Sequence, residues 1–235
     1  MAAGEGQAHR GVVAITGCNR GIGRSVAEAF ARAGWRVIVH AREGKVALEV
    51  AERLGAVASF YGDLDDAELP GRLAGAIEAA GGLDMLVLNA AVLGPKGPLG
   101  SLERAIFSEV MRLNVDCQFA LFRAALGALL ERRGTVVWMS SGLGRFVLPN
   151  YGAYCVSKHA VEALSKLAHA EYGERGLISV TVAPGMVATE MLKAAIEVDD
   201  VSQYASPEAH AERFLRLVTG LTSEDSGKAL DSSGE

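Results

Sequence analysis

Gly11-Val12-Val13-Ala14-Ile15-Thr16-Gly17-Cys18-Asn19-Arg20-Gly21-Ile22-Gly23 is the stretch that decides the fold. Gly11 to Thr16 reads as a short apolar strand that stops at Gly17. From Ile22 to Ala33, the residues Ile22, Val26, Ala29, Phe30 and Ala33 recur on one helical face, and Gly34 closes that helix. Glycines between a strand and a helix let the backbone turn tightly and approach an anion, whose charge the free N–H groups and dipole of the helix start favour. No Gly-Lys-Ser/Thr follows at the spacing of a nucleoside-triphosphatase loop. The turn is therefore read as a cradle for the pyrophosphate of a dinucleotide, the alternative being glycines that only make a turn.

The same alternation continues outward. WRVIVHA (35–41) predicts a second strand and Glu43 to Leu54 a charged helix, followed by VASFY (57–61) and a helix from Ala67 to Ala80. LDMLVLNA (83–90) is a fourth strand. After a loop between Pro95 and Pro98, a long helical segment runs from Leu102 to Leu130. TVVWMS (135–140), a helix over Ala153 to Tyr172 and ISVTVA (178–183) come next. The signal then weakens to a helix from Glu190, a polar stretch from Val198 to Pro207, a helix near Glu208 to Val218 and an edge strand at GKALD (227–231). Strands that are apolar throughout, separated by amphipathic helices, predict a doubly wound parallel sheet with helices on both faces. This is a single-domain Rossmann fold of the α/β class over residues 11–231, with a loose polar tail at 1–10 and a frayed end at 232–235.

Composition narrows the function. The 235 residues are 50% hydrophobic and 22% charged, which suits one globular core. A formal charge of -5 gives no basic footprint for nucleic acid or an anionic bilayer. Cys18, Cys117 and Cys155 are far apart and outside any metal-ligand spacing, so reduced thiols and no metal are expected. The N-terminus lacks a signal-like apolar run and no long unbroken apolar segment occurs, which leads us to expect a cytoplasmic protein without membrane contact.

The end of the second strand bears on the choice of dinucleotide. His40-Ala41-Arg42 carries no carboxylate to accept a ribose hydroxyl, whereas Arg42 can grip a phosphate and Arg20 can reach the same group. NADP(H) is the expected cofactor. Asp63 either caps the next segment or accepts a bond from an adenine amino group; Asn89 either meets ligand at the sheet end or simply ends its strand. Tyr154 and Lys158 are four apart near a helix start, hence neighbours on one face. A cation beside a phenol favours phenolate, so Lys158 is expected to lower the Tyr154 pKa toward a range useful for proton transfer. Ser141 can hold a substrate oxygen beside that phenol, and Asn114 can anchor a water that passes protons toward Lys158.

The order of glycine turn, Asn89-Ala90-Ala91, Asn114, Ser140-Ser141, Tyr154-Cys155-Val156-Ser157-Lys158 and Pro184-Gly185 resembles the classical short-chain dehydrogenase/reductase family over residues 11 to about 192. The resemblance implies an Asn-Ser-Tyr-Lys tetrad of Asn114, Ser141, Tyr154 and Lys158. Ser141 is preferred to Ser140 because the family's serine precedes its tyrosine by thirteen positions, and Tyr151 is passed over because the lysine sits four beyond Tyr154. It further implies cofactor contacts at Thr16, Gly17, Asn19, Arg20, Gly21, Ile22 and Gly23, at Ala41 and Arg42, at Asp63 and Leu64, and at Asn89 and Ala90. Tyr154, Lys158, Pro184, Gly185, Val187 and Thr189 complete that set at the nicotinamide end. Two departures stand out: Ala91 replaces the family's usual glycine in its NAG motif, and SGKALD stands where a VDGG ending is usual.

The resulting expectation is NADPH-dependent reduction of a ketone or aldehyde to an alcohol, with Tyr154 as proton donor and a lid over about residues 186–206. Phe146, Val147, Leu148, Met186, Met191 and Leu192 are expected to border an apolar substrate pocket. An alcohol dehydrogenase running in the oxidative direction, or a non-catalytic dinucleotide sensor, are the alternatives. The small apolar residues of the helices over 102–130 and 153–172 suggest a homodimer or homotetramer.

Overall fold

The computed structural model describes residues 10–233, so the expected tail lies outside the described residues except for Arg10, as do the last two residues of the expected frayed end. Among the described residues, seven strands form one sheet: β1 (Val12–Ile15), β2 (Arg36–Ala41), β3 (Ala58–Tyr61), β4 (Met85–Leu88), β5 (Thr135–Met139), β6 (Ile178–Ala183) and β7 (Ala229–Asp231). Their order is β3-β2-β1-β4-β5-β6-β7, and every pairing is parallel. The helices are α1 (Gly21–Arg32), α2 (Gly44–Leu54), α3 (Leu69–Ala79), α4 (Arg104–Met111), α5 (Cys117–Arg132), α6 (Gly152–Tyr172), α7 (Glu190–Ile196) and α8 (Pro207–Thr219).

Successive strand residues point to opposite faces, and each face has its own core. Val12, Ala14, Ile38, Leu86, Val136 and Trp138 meet α3, α5 and α6 on one side. Val13, Ile15, Val39, Val87, Val137 and Val180 meet α1 and α8 on the other. Burial on both faces explains why these strands read as unbroken apolar runs rather than alternating ones. From β1 the chain winds outward to β3, then returns to lay β4 against the free side of β1. The carboxyl ends of β1 and β4 therefore flank the topological switch point, where open α/β sheets bind ligand.

Several boundaries moved for local reasons. The third helix begins at Leu69 rather than Ala67, because the Asp66 carboxylate accepts from the Glu68 N–H and its backbone carbonyl from the Leu69 N–H, closing a turn first. Strand four ends at Leu88, since Asn89 and Ala90 turn away to bond Thr16. The segment expected to be helical from Leu102 starts at Arg104, after a short 3-10 turn at Leu99–Ser101. It then runs to Arg132, interrupted by a π-helical turn over Arg112–Asp116. This stretch is long and apolar enough to cross a bilayer on composition alone, yet Leu121, Phe122, Ala125 and Leu129 are buried against the sheet.

Candidate functional site

Thr16 organises the switch point. Its buried hydroxyl accepts from the N–H groups of Asn89 (2.9 Å) and Ala90 (3.0 Å), while the Asn89 side-chain amide donates to the Thr16 carbonyl at 2.8 Å. Both residues expected at the cofactor thus serve first to lock β1 to β4. The Gln118 amide, from α5, donates to the Ala90 carbonyl. On the other side His40 clamps the turn to β2: its Nδ1 accepts from the Gly17 N–H at 3.1 Å, its Nε2 lies 3.1 Å from the Gly62 carbonyl, and its own carbonyl accepts from the Cys18 N–H at 2.7 Å. A ring that accepts at Nδ1 carries its proton at Nε2 and is neutral, and burial lowers its pKa, opposed by the Gly62 carbonyl and the Asp63 charge. Nothing in our sequence reading assigned His40 this role. A polar residue inside the otherwise apolar run RVIVHA was the available signal.

The turn is built for close approach. Gly17 has φ +75° and Gly21 φ +55°, values that favour glycine. A Cβ on Gly23 would stand 2.2 Å from the Gly17 carbonyl oxygen. Helix α1 starts with no side-chain cap and no acidic residue in its first turn, so its leading N–H groups remain for an anion. That combination fits a dinucleotide pyrophosphate. Asn19, Arg20 and Arg42 are exposed, Ile22 is partly exposed and Ala41 is buried. Asp63 is also exposed, and its carboxylate accepts from the Leu64 N–H at 2.8 Å rather than capping α3.

The loop after β6 leans over this turn. Thr189 caps α7, accepting from the Leu192 N–H at 3.2 Å, and its methyl group would lie 3.4 Å from a Cβ on Gly21. Pro184 is partly exposed, Gly185 sits at φ +72°, and Val187 is buried. Val187 pairs with Ala205, so both ends of the segment expected as a lid are fastened together. The segment is pinned elsewhere too, by the Tyr151 hydroxyl donating to the Ala195 carbonyl and by the Lys96–Glu197 ion pair at 3.1 Å. Phe146, Val147, Leu148, Met186 and Met191 are exposed apolar side chains around this region.

Asn114, Ser141, Tyr154 and Lys158 come together beyond β5. Asn114 lies in the π turn, where its side chain accepts from the Val92 N–H (2.8 Å) and donates to the Val92 carbonyl (2.8 Å) and the Ser157 hydroxyl (3.1 Å). Both amide hydrogens are thus engaged, and the side chain clamps the loop after β4 to α6. Extra-wide turns of this kind are concentrated at functional sites. Ser141 accepts from the Leu143 N–H at 3.2 Å and its hydroxyl lies beside the Tyr154 phenol, whereas the Ser140 hydroxyl is buried without a partner.

The electrostatics differ from expectation in one respect. Burial pushes the Tyr154 phenol up to about 12, with the Ser141 hydroxyl acting in the opposite direction. The Lys158 ammonium is 5.6 Å from the phenol ring centroid and donates to the Met139 carbonyl at 2.7 Å, so its charge is partly spent on β5. Burial lowers the Lys158 pKa to about 8, opposed by Glu162. The phenol therefore holds its proton at neutral pH. That is the form a proton donor needs.

Comparison with known proteins agrees with this geometry. The sequence pattern of the short chain dehydrogenase family matches residues 11–199. The chain is 34% identical, over 87% of its length and 89% of the relative's, to the inactive 2-(S)-hydroxypropyl-CoM dehydrogenase 2 of Xanthobacter autotrophicus. It is 30% identical to the NADPH-dependent pterin aldehyde reductase of Arabidopsis thaliana, covering 93% of this chain and 91% of that one. A short chain dehydrogenase from Shigella flexneri 2a, solved as its NADP complex, superposes with a TM-score of 0.85 at 30% identity, covering 95% of this chain and 97% of the other. A glycine cradle at the switch point and a Ser-Tyr-Lys cluster beyond β5, within a matching sequence pattern and a matching fold, place this chain in the short-chain dehydrogenase family of oxidoreductases.

Proposed function

We propose that the chain reduces a ketone or aldehyde to an alcohol, using NADPH. The observation that carries this reading is a phenol, Tyr154, kept protonated beside a buried ammonium and next to the Ser141 hydroxyl at the carboxyl end of the sheet. When bound, the reduced dinucleotide supplies the hydride that no side chain can provide. Gly17, Gly21, Ile22 and Gly23 hold the pyrophosphate on the first turn of α1, and Asp63 with Leu64 flanks the adenine. Exposed Arg20 and Arg42 grip the ribose phosphate, a reading supported by the absence of a carboxylate at the end of β2. Residues 184–189 border the nicotinamide end.

The substrate oxygen is held between the Ser141 hydroxyl and the Tyr154 phenol. Tyr154 gives its proton to that oxygen as charge develops on it, and the neighbouring Lys158 ammonium stabilises the phenolate that remains. Asn114 and Ser157 fix the helix segment that carries both groups. The fastened 186–206 segment excludes water from the cleft. Tyr154→Phe is expected to abolish turnover of an aldehyde, diketone and pterin panel while leaving NADPH binding intact. Parental rates in a folded variant would overturn the reading. Arg20→Ala with Arg42→Ala is expected to erase preference for NADPH over NADH, and unchanged discrimination removes their phosphate role. The exposed Phe119, Val156 and Leu167 on α5 and α6 support a homodimer or homotetramer, which light scattering decides.

A further inference from the structure

The turn that carries Ser141 is fastened from behind by charges that the tetrad does not include. Gly142–Gly144 forms a 3-10 turn directly after Ser141, and a Cβ on Gly144 would meet the Lys158 carbonyl at 3.0 Å and Glu162 Cγ at 3.2 Å. The turn is thus pressed onto α6 at the level of Lys158. Arg145 follows it and makes three contacts. Its Nε donates to Glu162 at 3.4 Å, one terminal nitrogen donates to the Asp231 carboxylate at 2.5 Å, and the other to the Leu230 carbonyl at 2.7 Å. Glu162, with its side chain only 7% exposed, accepts a second bond from the Thr181 hydroxyl of β6 at 2.6 Å. Glu162 lies one helical turn beyond Lys158, so the two side chains share a face of α6.

A buried carboxylate is costly unless paired, and here the pairing joins four elements at once: the Ser141 turn, α6, β6 and β7. The Asp231 carboxylate and the Leu230 carbonyl, at the end of β7, complete the Arg145 side of this pairing.

We propose that Glu162 and Arg145 are positioning residues for the Tyr154–Lys158 proton donor, with the end of β7 holding Arg145 in place. Arg145 sets the Ser141 turn against α6, and the Glu162 carboxylate favours the charged form of Lys158. The groups facing Lys158 are Tyr154 and Glu162 from α6 and the Met139 carbonyl from β5, with Arg145 and Asp231 behind Glu162. The proposal rests on the reductive reading above for its kinetic part, but not for its structural part.

The signs can be worked out. Glu162→Gln keeps the acceptor for Thr181 and removes a negative charge, so Lys158 gives up its proton more easily. The alkaline limb of kcat for carbonyl reduction should move to lower pH, by about one unit, with kcat down about tenfold and KM little changed. Arg145→Met leaves the Glu162 charge without its cation, so the same limb should move to higher pH while kcat also falls. Opposite shifts from two neighbouring variants are not what general loosening produces. Amide hydrogen exchange at residues 142–146 provides a readout that needs no turnover, and it should quicken in Arg145→Met and, more weakly, in Asp231→Asn. Circular dichroism verifies the fold of each variant. Limbs that stay in place or move together, in folded variants of an active parent, would overturn the electrostatic role. Unchanged exchange at 142–146 would overturn the positioning role, even if the parent reduces no carbonyl and the functional reading itself fails.

Discussion

Gly23→Ala places a methyl group 2.2 Å from the Gly17 carbonyl oxygen, 2.4 Å from the Asn89 amide nitrogen and 2.9 Å from the Gly17 carbonyl carbon. Two of these three atoms are backbone, so no rotamer change can relieve the overlap. The turn itself is held at Gly17 and Cys18 by His40, and Asn89 is held by Thr16. Relief therefore means moving the glycine turn by about an ångström or breaking the Asn89–Thr16 bond. Overpacking of this kind costs about 1–3 kcal/mol and a lost hydrogen bond about 1 kcal/mol, against a gain in helix propensity of up to about 1 kcal/mol. The sum is a loss of about 1–3 kcal/mol in folding stability. Because the displaced atoms belong to the turn proposed to cradle the pyrophosphate, NADPH affinity should fall about a hundredfold, equivalent to about 3 kcal/mol. Gly75→Ala is the internal control. Gly75 is exposed on α3 with nothing within 4 Å of a Cβ, so that variant should gain up to about 1 kcal/mol and bind the dinucleotide as the parent does. Urea unfolding and fluorescence titration with NADPH measure both quantities. If Gly23→Ala were as stable as the parent and bound NADPH within about threefold, the reading of this turn as a close-approach cradle would be wrong.

Further outcomes follow from two buried titratable groups. Lys158, at about 8 when folded and 10.5 by its ordinary value, binds fewer protons than in the unfolded chain between those limits. Stability without cofactor should therefore rise with pH across that window by about 3 kcal/mol, and Lys158→Met should lack the rise; parallel stability curves from pH 7 to 10 would refute this. His40→Leu keeps the ring's bulk but strips partners from the Gly17 N–H and the Gly62 carbonyl, and should cost about 2–4 kcal/mol together with about tenfold in NADPH affinity. Since burial depresses its pKa, the His40 contribution should be complete above about pH 6.5 and lost as the pH falls toward the folded value. Thermal unfolding of parent and variant between pH 7 and 4 measures it, and an equal loss of stability in both would count against the role.

Much of the site was legible because its chemistry is carried by short local patterns. Glycines at 17, 21 and 23 announce a turn, and Tyr154 with Lys158 announces a shared helix face, since backbone geometry alone relates residues so close in the chain. Strand β6 was equally plain: ISVTVA ended up with the expected bounds, Ile178–Ala183, because its β-branched Ile, Val and Thr residues favour extended backbone. Less visible was where polar groups would find partners across the fold.

Asn114 places its side chain on Val92 and Ser157, and Thr16 spends its hydroxyl on Asn89 and Ala90. His40 bridges residues 17 and 62, while Arg145 reaches 231. A buried donor or acceptor must be satisfied by whatever the sheet order brings beside it, and that order is set by long-range packing rather than by neighbours in the chain. The sequence by itself thus determined the strand–helix alternation, the glycine turn between β1 and α1 and the shared helix face of Tyr154 and Lys158, all of which depend on spacing. Only the tertiary structure decided which side chains hold those groups in place and that Tyr154 keeps its proton, because burial and distant charge depend on what the fold packs together.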